Sequence, residues 1–193
     1  MKKLLITGFE PFGGENINPS WEAVSRLPDK IGEYSLTKLM LPVTFGKAAD
    51  MAVRKAEEIN PDVIISVGQA GGRSAVTPER IAINIRNASI PDNDGNQPID
   101  ESIVEGGRVA YFSTLSPRLI SEEIASAGIS SHISYSAGTY VCNELFYTLL
   151  STFEGSNTLC SFIHIPYCKE QGREPSMELD DIVNAIIVAI RSI

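Results

Sequence analysis

The sequence predicts an α/β fold: a mostly parallel central sheet with helices packed on both of its faces, as one catalytic-sized domain over residues 1–193. Three observations carry this. Strand-like and helix-like segments alternate through all 193 residues, the pattern that builds parallel sheets. Val63-Ile-Ile-Ser-Val67 is a short apolar run rich in β-branched residues, as a strand covered on both faces requires. With 43% apolar and 21% charged residues, a chain of this length can close a core without disulfides or a structural metal.

The elements follow in order. Residues 4–7 read as a buried first strand, ended by a Gly/Pro-rich loop that runs to Pro19. Residues 21–27 suit a short helix with Ser20 as its N-cap, and residues 36–43 a second strand. Ala48, Met51, Ala52 and Ala56 fall on one helical face of residues 47–59, and Asn60-Pro61 stops that helix. The 63–67 strand closes at Gly68, and residues 81–85 give another strand. Residues 91–107 are turn-rich and form a long loop, a feature usually tied to function or an interface. A helix over 118–127, a strand over 133–135, a turn at Gly138 and a helix over 142–152 come next. The strand at 159–165 is ended by Pro166. The last helix covers 180–193, with Ile182, Ala185, Ile186 and Ala189 on its apolar face.

Charge narrows the function classes. Asp and Glu number 24 against 16 Lys and Arg, a net charge of −8, and no basic cluster offers the phosphate contacts that nucleic-acid binding needs. A small ligand is the expectation instead. Two lysines and only three apolar residues precede Thr7-Gly8, too short for the apolar core of a secretion signal. No run reaches membrane-spanning length. Three cysteines, an odd and widely spaced set, make a poor disulfide framework. A cytoplasmic protein with reduced thiols is expected.

Two glycine-rich loops fail as phosphate cradles. In Gly8-Phe-Glu-Pro-Phe-Gly13-Gly14-Glu15 a glycine stands where a P-loop has its lysine, and Glu15 where it has Ser or Thr. Gly68-Gln-Ala-Gly71-Gly72-Arg73 lacks the dinucleotide spacing. Two histidines, His132 and His164, with no paired-cysteine or His-Glu-x-x-His pattern, give no metal site. One constellation remains. Cys142 opens a helix, where free N–H groups and the dipole favour a thiolate. His164 lies on the strand Phe162-Ile-His-Ile165, and Glu79 follows the Thr77-Pro78 turn. Sites in open α/β sheets gather at the carboxyl ends of strands. A histidine there could deprotonate the cysteine, and a carboxylate could orient the histidine. Taken singly, each residue also fits a plain structural role.

The motifs also resemble those of a known family, the pyrrolidone carboxyl (pyroglutamyl) peptidases of type I. The matching stretches are Gly8-Phe-Glu-Pro-Phe-Gly-Gly14, Asn18-Pro-Ser-Trp21, Val67-Gly-Gln-Ala-Gly-Gly-Arg73 and Pro78-Glu-Arg-Ile-Ala-Ile-Asn84. Ile90-Pro-Asp-Asn93, Gly95-Asn-Gln-Pro98, Ala137-Gly-Thr-Tyr-Val-Cys-Asn143 and Phe162-Ile-His-Ile-Pro-Tyr167 complete the set. They run in family order over nearly the whole chain. The resemblance implies a three-layer α/β/α sandwich similar to purine nucleoside phosphorylase. It implies a cysteine peptidase that removes N-terminal pyroglutamate from peptides without metal or cofactor, often as a homotetramer. It makes Cys142 the nucleophile, His164 the general base and acid, and Glu79 the orienting carboxylate. Phe9, Phe12, Asn18, Gln69, Ile90, Tyr140 and Val141 would line the substrate pocket, with Asn18 and Gln69 as polar partners of the lactam. One position departs: relatives often read Ala-Arg-Ile where this chain has Ala88-Ser89-Ile90. Either Arg86 replaces that arginine near the oxyanion, or the hole rests on the backbone. A protein of the same fold that binds a lactam or nucleoside without turnover is the alternative to the peptidase.

Overall fold

A computed structural model describes residues 1–193. In chain order the strands and helices begin with β1 (Lys2–Phe9), α1 (Pro19–Arg26), β2 (Lys30–Ile31), β3 (Tyr34–Leu41), α2 (Lys47–Ile59) and β4 (Val63–Gln69). They continue with β5 (Thr77–Pro78), β6 (Ile81–Ile83), β7 (Ala110–Phe112), α3 (Pro117–Ser126) and α4 (Val141–Thr152). The chain ends with β8 (Leu159–Ile165), β9 (Tyr167–Cys168), β10 (Ser176–Met177) and α5 (Leu179–Arg191). Six strands form the main sheet in the order β2-β3-β1-β4-β8-β5. The inner pairs β3–β1, β1–β4 and β4–β8 are parallel, while the edge strands β2 and β5 run antiparallel.

Strand alternation explains why both faces are covered. Successive side chains point to opposite sides. Leu4 and Ile6 of β1 and Val63, Ile65 and Val67 of β4 therefore share one core with Val24 of α1, Ile120 and Ile124 of α3, and Ile182 and Ile186 of α5. Leu5 and Ile64, one residue out of step, join a second core with Ala48, Ala52 and Ala56 of α2 and Leu145, Phe146 and Leu149 of α4. The fold is thus α/β with a mostly parallel sheet between two helical layers.

The order of the strands also places the site. The chain steps from β1 through α1 to β3 on one side, then crosses through α2 to β4 on the other. A crevice opens outside the carboxyl ends where a doubly wound sheet reverses direction. Here that is beyond Phe9 of β1 and Gln69 of β4.

Several local expectations change. The cap of α1 is Asn18, whose side-chain oxygen accepts from the Ser20 N–H at 3.0 Å and the Ser20 hydroxyl at 2.8 Å; Ser20 lies within the helix. Residues 133–135 form no strand. Only isolated bridges, Val76 to Ser131 and Glu79 to Ser134, join this segment to the sheet edge. The neighbouring strand β5 ends in Pro78, which has no N–H to extend a ladder. The strand expected at 81–85 pairs antiparallel with β7 in a separate two-stranded sheet and stops at Ile83. There the Asn143 amide takes over the backbone: it accepts from the Ile83 N–H and donates to the carbonyls of Ile83 and Ile85. The 91–107 loop is stapled down. Buried Asp92 accepts from the N–H groups of Phe45, Asp94 and Asn96. Asn93 donates to Glu10 Oε1 and Pro11 O on the loop after β1.

Candidate active site

Cys142 is the second residue of α4, behind an N-cap, Tyr140, that offers no side-chain hydrogen bond. The first N–H groups of the helix are thus left for another acceptor. The thiol reaches the sheet because residue 68 is glycine. A Cβ there would stand 2.9 Å from Cys142 Sγ and 2.8 Å from the Phe162 ring. Gly68 pairs with His164 across β4 and β8, so the sulfur packs on the strand position next to the histidine. No hydrogen bond joins Sγ to the imidazole at rest.

His164 is 4% exposed and Glu79 0%. The edge pairing that sets Thr77 against His164 carries the chain on to Glu79, whose N–H donates to Phe162 O at 2.8 Å. Glu79 Oε1 then lies 2.7 Å from His164 Nδ1. A carboxylate can only accept, so Nδ1 carries the proton and Nε2 is left with its lone pair in the neutral ring. The Arg73 guanidinium also holds Glu79 Oε1, at 2.8 Å, and bonds Thr77 Oγ1 at 2.6 Å and Ser136 O at 3.1 Å. Arg73 lies in the Val67–Arg73 motif, yet sequence reasoning assigned it no role. Its partners Thr77 and Glu79 lie four and six residues on and Ser136 63 residues away, and only the fold turns all three toward one guanidinium.

Burial dominates the electrostatics. It pushes the Cys142 thiol up to about 12, Glu79 adding to the effect and Arg73 opposing it. Cys142 keeps partial exposure toward the pocket, but its sulfur is packed in protein. Burial also lowers His164, against the raising effect of Glu79 and with a small further lowering by Arg73. Burial alone would raise Glu79. Its hydrogen bond and attraction to His164, with help from Ser134 and Arg73, bring it below the ordinary carboxylate value. Burial thus works against both charged forms, the thiolate of Cys142 and the imidazolium of His164. Desolvation opposes the thiolate that the helix terminus favours.

A small, mainly apolar pocket opens beside the sulfur. Its walls are Phe9, Phe12, Val43, Tyr140 and Val141, with Asn18, Gln69 and Cys142 as polar members. Six of the seven expected pocket residues meet here. Ile90 is 45% exposed and lies on an adjoining hollow that shares Phe12 and Tyr140. Val43 was not expected; it follows the carboxyl end of β3, a position that only the strand order brings to the site. Tyr140 donates to Pro91 O at 3.1 Å and packs edge-on against Phe45, so the stapled loop supports this wall. Asn18 is largely engaged in capping and donates its amide to Glu10 O at 2.9 Å. Arg86 pairs with buried Glu144 at 2.7 Å and donates to Ile103 O. It lies in a separate hollow with Asn96, Gln97 and Glu101. Cys160 and Cys168 are both buried, at 1% and 0%. His132 is exposed.

The pyroglutamyl peptidase family profile matches residues 2–193. A pyrrolidone-carboxylate peptidase of Thermococcus onnurineus is 49% identical over 98% of both chains. One of Clostridium perfringens is 47% identical over 99% of this chain and 92% of its own. Among solved structures, pyroglutamyl peptidase I of Bacillus amyloliquefaciens superposes with a TM-score of 0.94 at 47% identity, covering 98% of this chain and 95% of that one. The pyrrolidone carboxyl peptidase of Thermococcus litoralis gives 0.95 at 42% identity, covering 100% and 93%.

Proposed function

The chain belongs to the pyroglutamyl peptidase family, cysteine peptidases that hydrolyse the bond after an N-terminal pyroglutamyl residue, and from that premise we propose that Cys142 is its nucleophile, His164 its proton carrier and Glu79 the group that orients the imidazole. The observation that carries this is the 2.7 Å bond between Glu79 and His164, with Cys142 Sγ seated over Gly68 beside them. His164 Nε2 takes the thiol proton as Sγ attacks the pyroglutamyl carbonyl carbon. The oxyanion is met by the free N–H groups at the start of α4. Because Arg86 is committed to Glu144, the hole rests on backbone. Collapse of the tetrahedral adduct breaks the C–N bond, and the imidazolium gives its proton to the leaving amine. Water then enters, His164 takes one of its protons, and the thioester is cleaved to pyroglutamate and free thiol.

The pocket suits the substrate's blocked end. A pyroglutamyl ring is flat and uncharged, so Phe9, Phe12, Val43 and Tyr140 can enclose it at no ionic cost. A free α-ammonium would be desolvated without a carboxylate to pair it. Ile90 would contact the peptide beyond the ring, at the rim. The alternative of a binder without turnover is set aside, since the relatives carry the names of peptidases. We also infer a homotetramer acting in the cytoplasm, each subunit one domain. Exposed Val109 and Phe112, at the two ends of β7, supply apolar surface for subunit contact, and three unbridged thiols suit a reducing compartment. The activity test is release of a chromogenic amine from a pyroglutamyl amide. The wild type should turn over and folded Cys142→Ala should not; turnover by Cys142→Ala would remove the assignment. Light scattering of the purified chain reads the subunit number.

A further inference from the structure

Gln69 lines the pocket, and its amide is not free to turn. Its Oε1 accepts from Gln171 Nε2 at 2.9 Å. Gln171 Oε1 in turn accepts from the backbone N–H of Cys168 at 3.1 Å. A backbone N–H can only donate. Gln171 must therefore turn its oxygen toward Cys168 and its NH₂ toward Gln69, and Gln69 must answer with its oxygen. The Gln69 NH₂ is what remains for the pocket. The order of donors is forced from the backbone outward, so it does not depend on how either amide is assigned.

The segment that carries Gln171 is itself tightly placed. Ala70 N–H donates to Ile165 O at 2.8 Å. Tyr167 fills the space over Gly71, where a Cβ would stand 2.2 Å from its hydroxyl oxygen. Arg173 lies over the Tyr167 ring. The turn Lys169–Gln171 is then closed by Gly172 in a left-handed conformation at φ 65°.

We propose that Gln171 is a positioning residue for substrate recognition: it locks the Gln69 amide so that the pocket presents a hydrogen-bond donor to the ring carbonyl of the pyroglutamyl group. The proposal rests on the peptidase reading above. It assigns a cause to the preference for a 5-oxo ring over a plain pyrrolidine, which would leave that donor buried and unpaired.

The test exchanges the polarity of the relay. Gln171→Glu keeps an acceptor for Cys168 N–H but offers Gln69 an oxygen, so the Gln69 amide turns and presents its own oxygen to the substrate carbonyl. Gln171→Met removes the lock and leaves Gln69 free to choose. With a pyroglutamyl amide substrate at neutral pH, Gln171→Glu should lose about tenfold or more in kcat/KM, mainly through KM. Gln171→Met should lose only about threefold, since a mobile amide forfeits ordering rather than the bond. A role confined to holding the turn demands the reverse order, because glutamate is the closer replacement. In a Gln69→Ala background both substitutions should change KM by less than about twofold.

Binding of pyroglutamamide to the Cys142→Ala form, read by calorimetry, repeats the series without turnover. There the Gln171→Glu defect should shrink as pH falls and the new carboxyl regains a proton to donate. Should the wild type fail to cleave the substrate, the peptidase reading is at fault, and the calorimetric series still decides the relay. Should Gln171→Glu not fold, the Gln171→Met rise in KM and its absence beside Gln69→Ala carry the decision. Gln171→Glu equal to or better than Gln171→Met, or losses that persist in Gln69→Ala, overturns the proposal.

Discussion

Cys142 and Cys160 sit on the same helical side of the sheet and are both pushed up to about 12 by burial. Their surroundings differ in kind. Cys160 lies inside β8, 1% exposed, with Leu149 O 3.9 Å from its sulfur. Cys142 lies at the start of α4, open on one side to the pocket and packed on Gly68 next to His164. Burial alone makes a thiol inert. What separates the two is a neighbouring imidazole held by Glu79, together with an open pocket.

The largest expected effect breaks the comparison at its centre. Cys142→Ala and His164→Ala should each cost at least ~10⁴-fold in kcat, because nucleophile and base act as one unit. Cys160→Ser should keep activity but lose about 1–3 kcal/mol of stability by placing a hydroxyl in an apolar strand environment. Activity assays with urea unfolding on the same three proteins check the exchange of roles. A loss of activity in Cys160→Ser without loss of stability would contradict it.

Gly68→Ala comes next. The added methyl must displace either the Cys142 sulfur or the Phe162 ring. A shift of about 1 Å in the nucleophile should cost on the order of 10²-fold in kcat/KM. Single-turnover kinetics on the folded variant measure it, and near-wild-type acylation would show that the glycine does not set the approach.

Smaller shifts come from the two residues on His164. The reactive form needs a neutral imidazole, so the acid limb of the kcat/KM profile follows His164, which burial already lowers. Glu79 raises the pKa of His164 and Arg73 lowers it. Glu79→Gln should therefore move the limb to lower pH, at a rate above that of His164→Ala. Arg73→Met should move it to higher pH, with Arg73→Lys in between. Limbs that move together, or not at all, would remove the electrostatic part of the account. The smallest effect is on labelling: brief alkylation of the native protein should modify Cys142 and spare Cys160 and Cys168, as peptide mapping would report.

Much of this was readable in the sequence, for reasons that can be named. Helix 47–59 was placed to the residue because alanine periodicity and Asn60-Pro61 are local signals. Cys142, His164 and Glu79 stood out as candidates because helix start, strand and turn are local signals, while their grouping into one site came from the family resemblance. Segment 133–135 failed because its apolar content promised a strand that the Pro78 edge could not pair. The cap at Asn18 was missed because Ser20 is an equally good capping residue two positions on, and only the fold decides between them. Arg73, Val43 and Gln171 were invisible as site residues because their partners lie on other elements. Arg73 reaches Glu79 and Ser136, Val43 meets Phe9, and Gln171 meets Gln69 across 102 positions. Burial of the Cys142 thiol was invisible for the same reason: the helix terminus that favours a thiolate is visible in the sequence, and the desolvation that opposes it is not.

The central claim is that Cys142 carries the acyl group, and acid quenching during turnover of a pyroglutamyl amide tests it most directly. Peptide mapping by mass spectrometry should find a pyroglutamyl thioester on the peptide that holds Cys142, enriched in Glu79→Gln if deacylation slows, and none on the peptides of Cys160 or Cys168. Steady turnover with Cys142 unmodified at every quench time, or the acyl group on another side chain, would contradict the account.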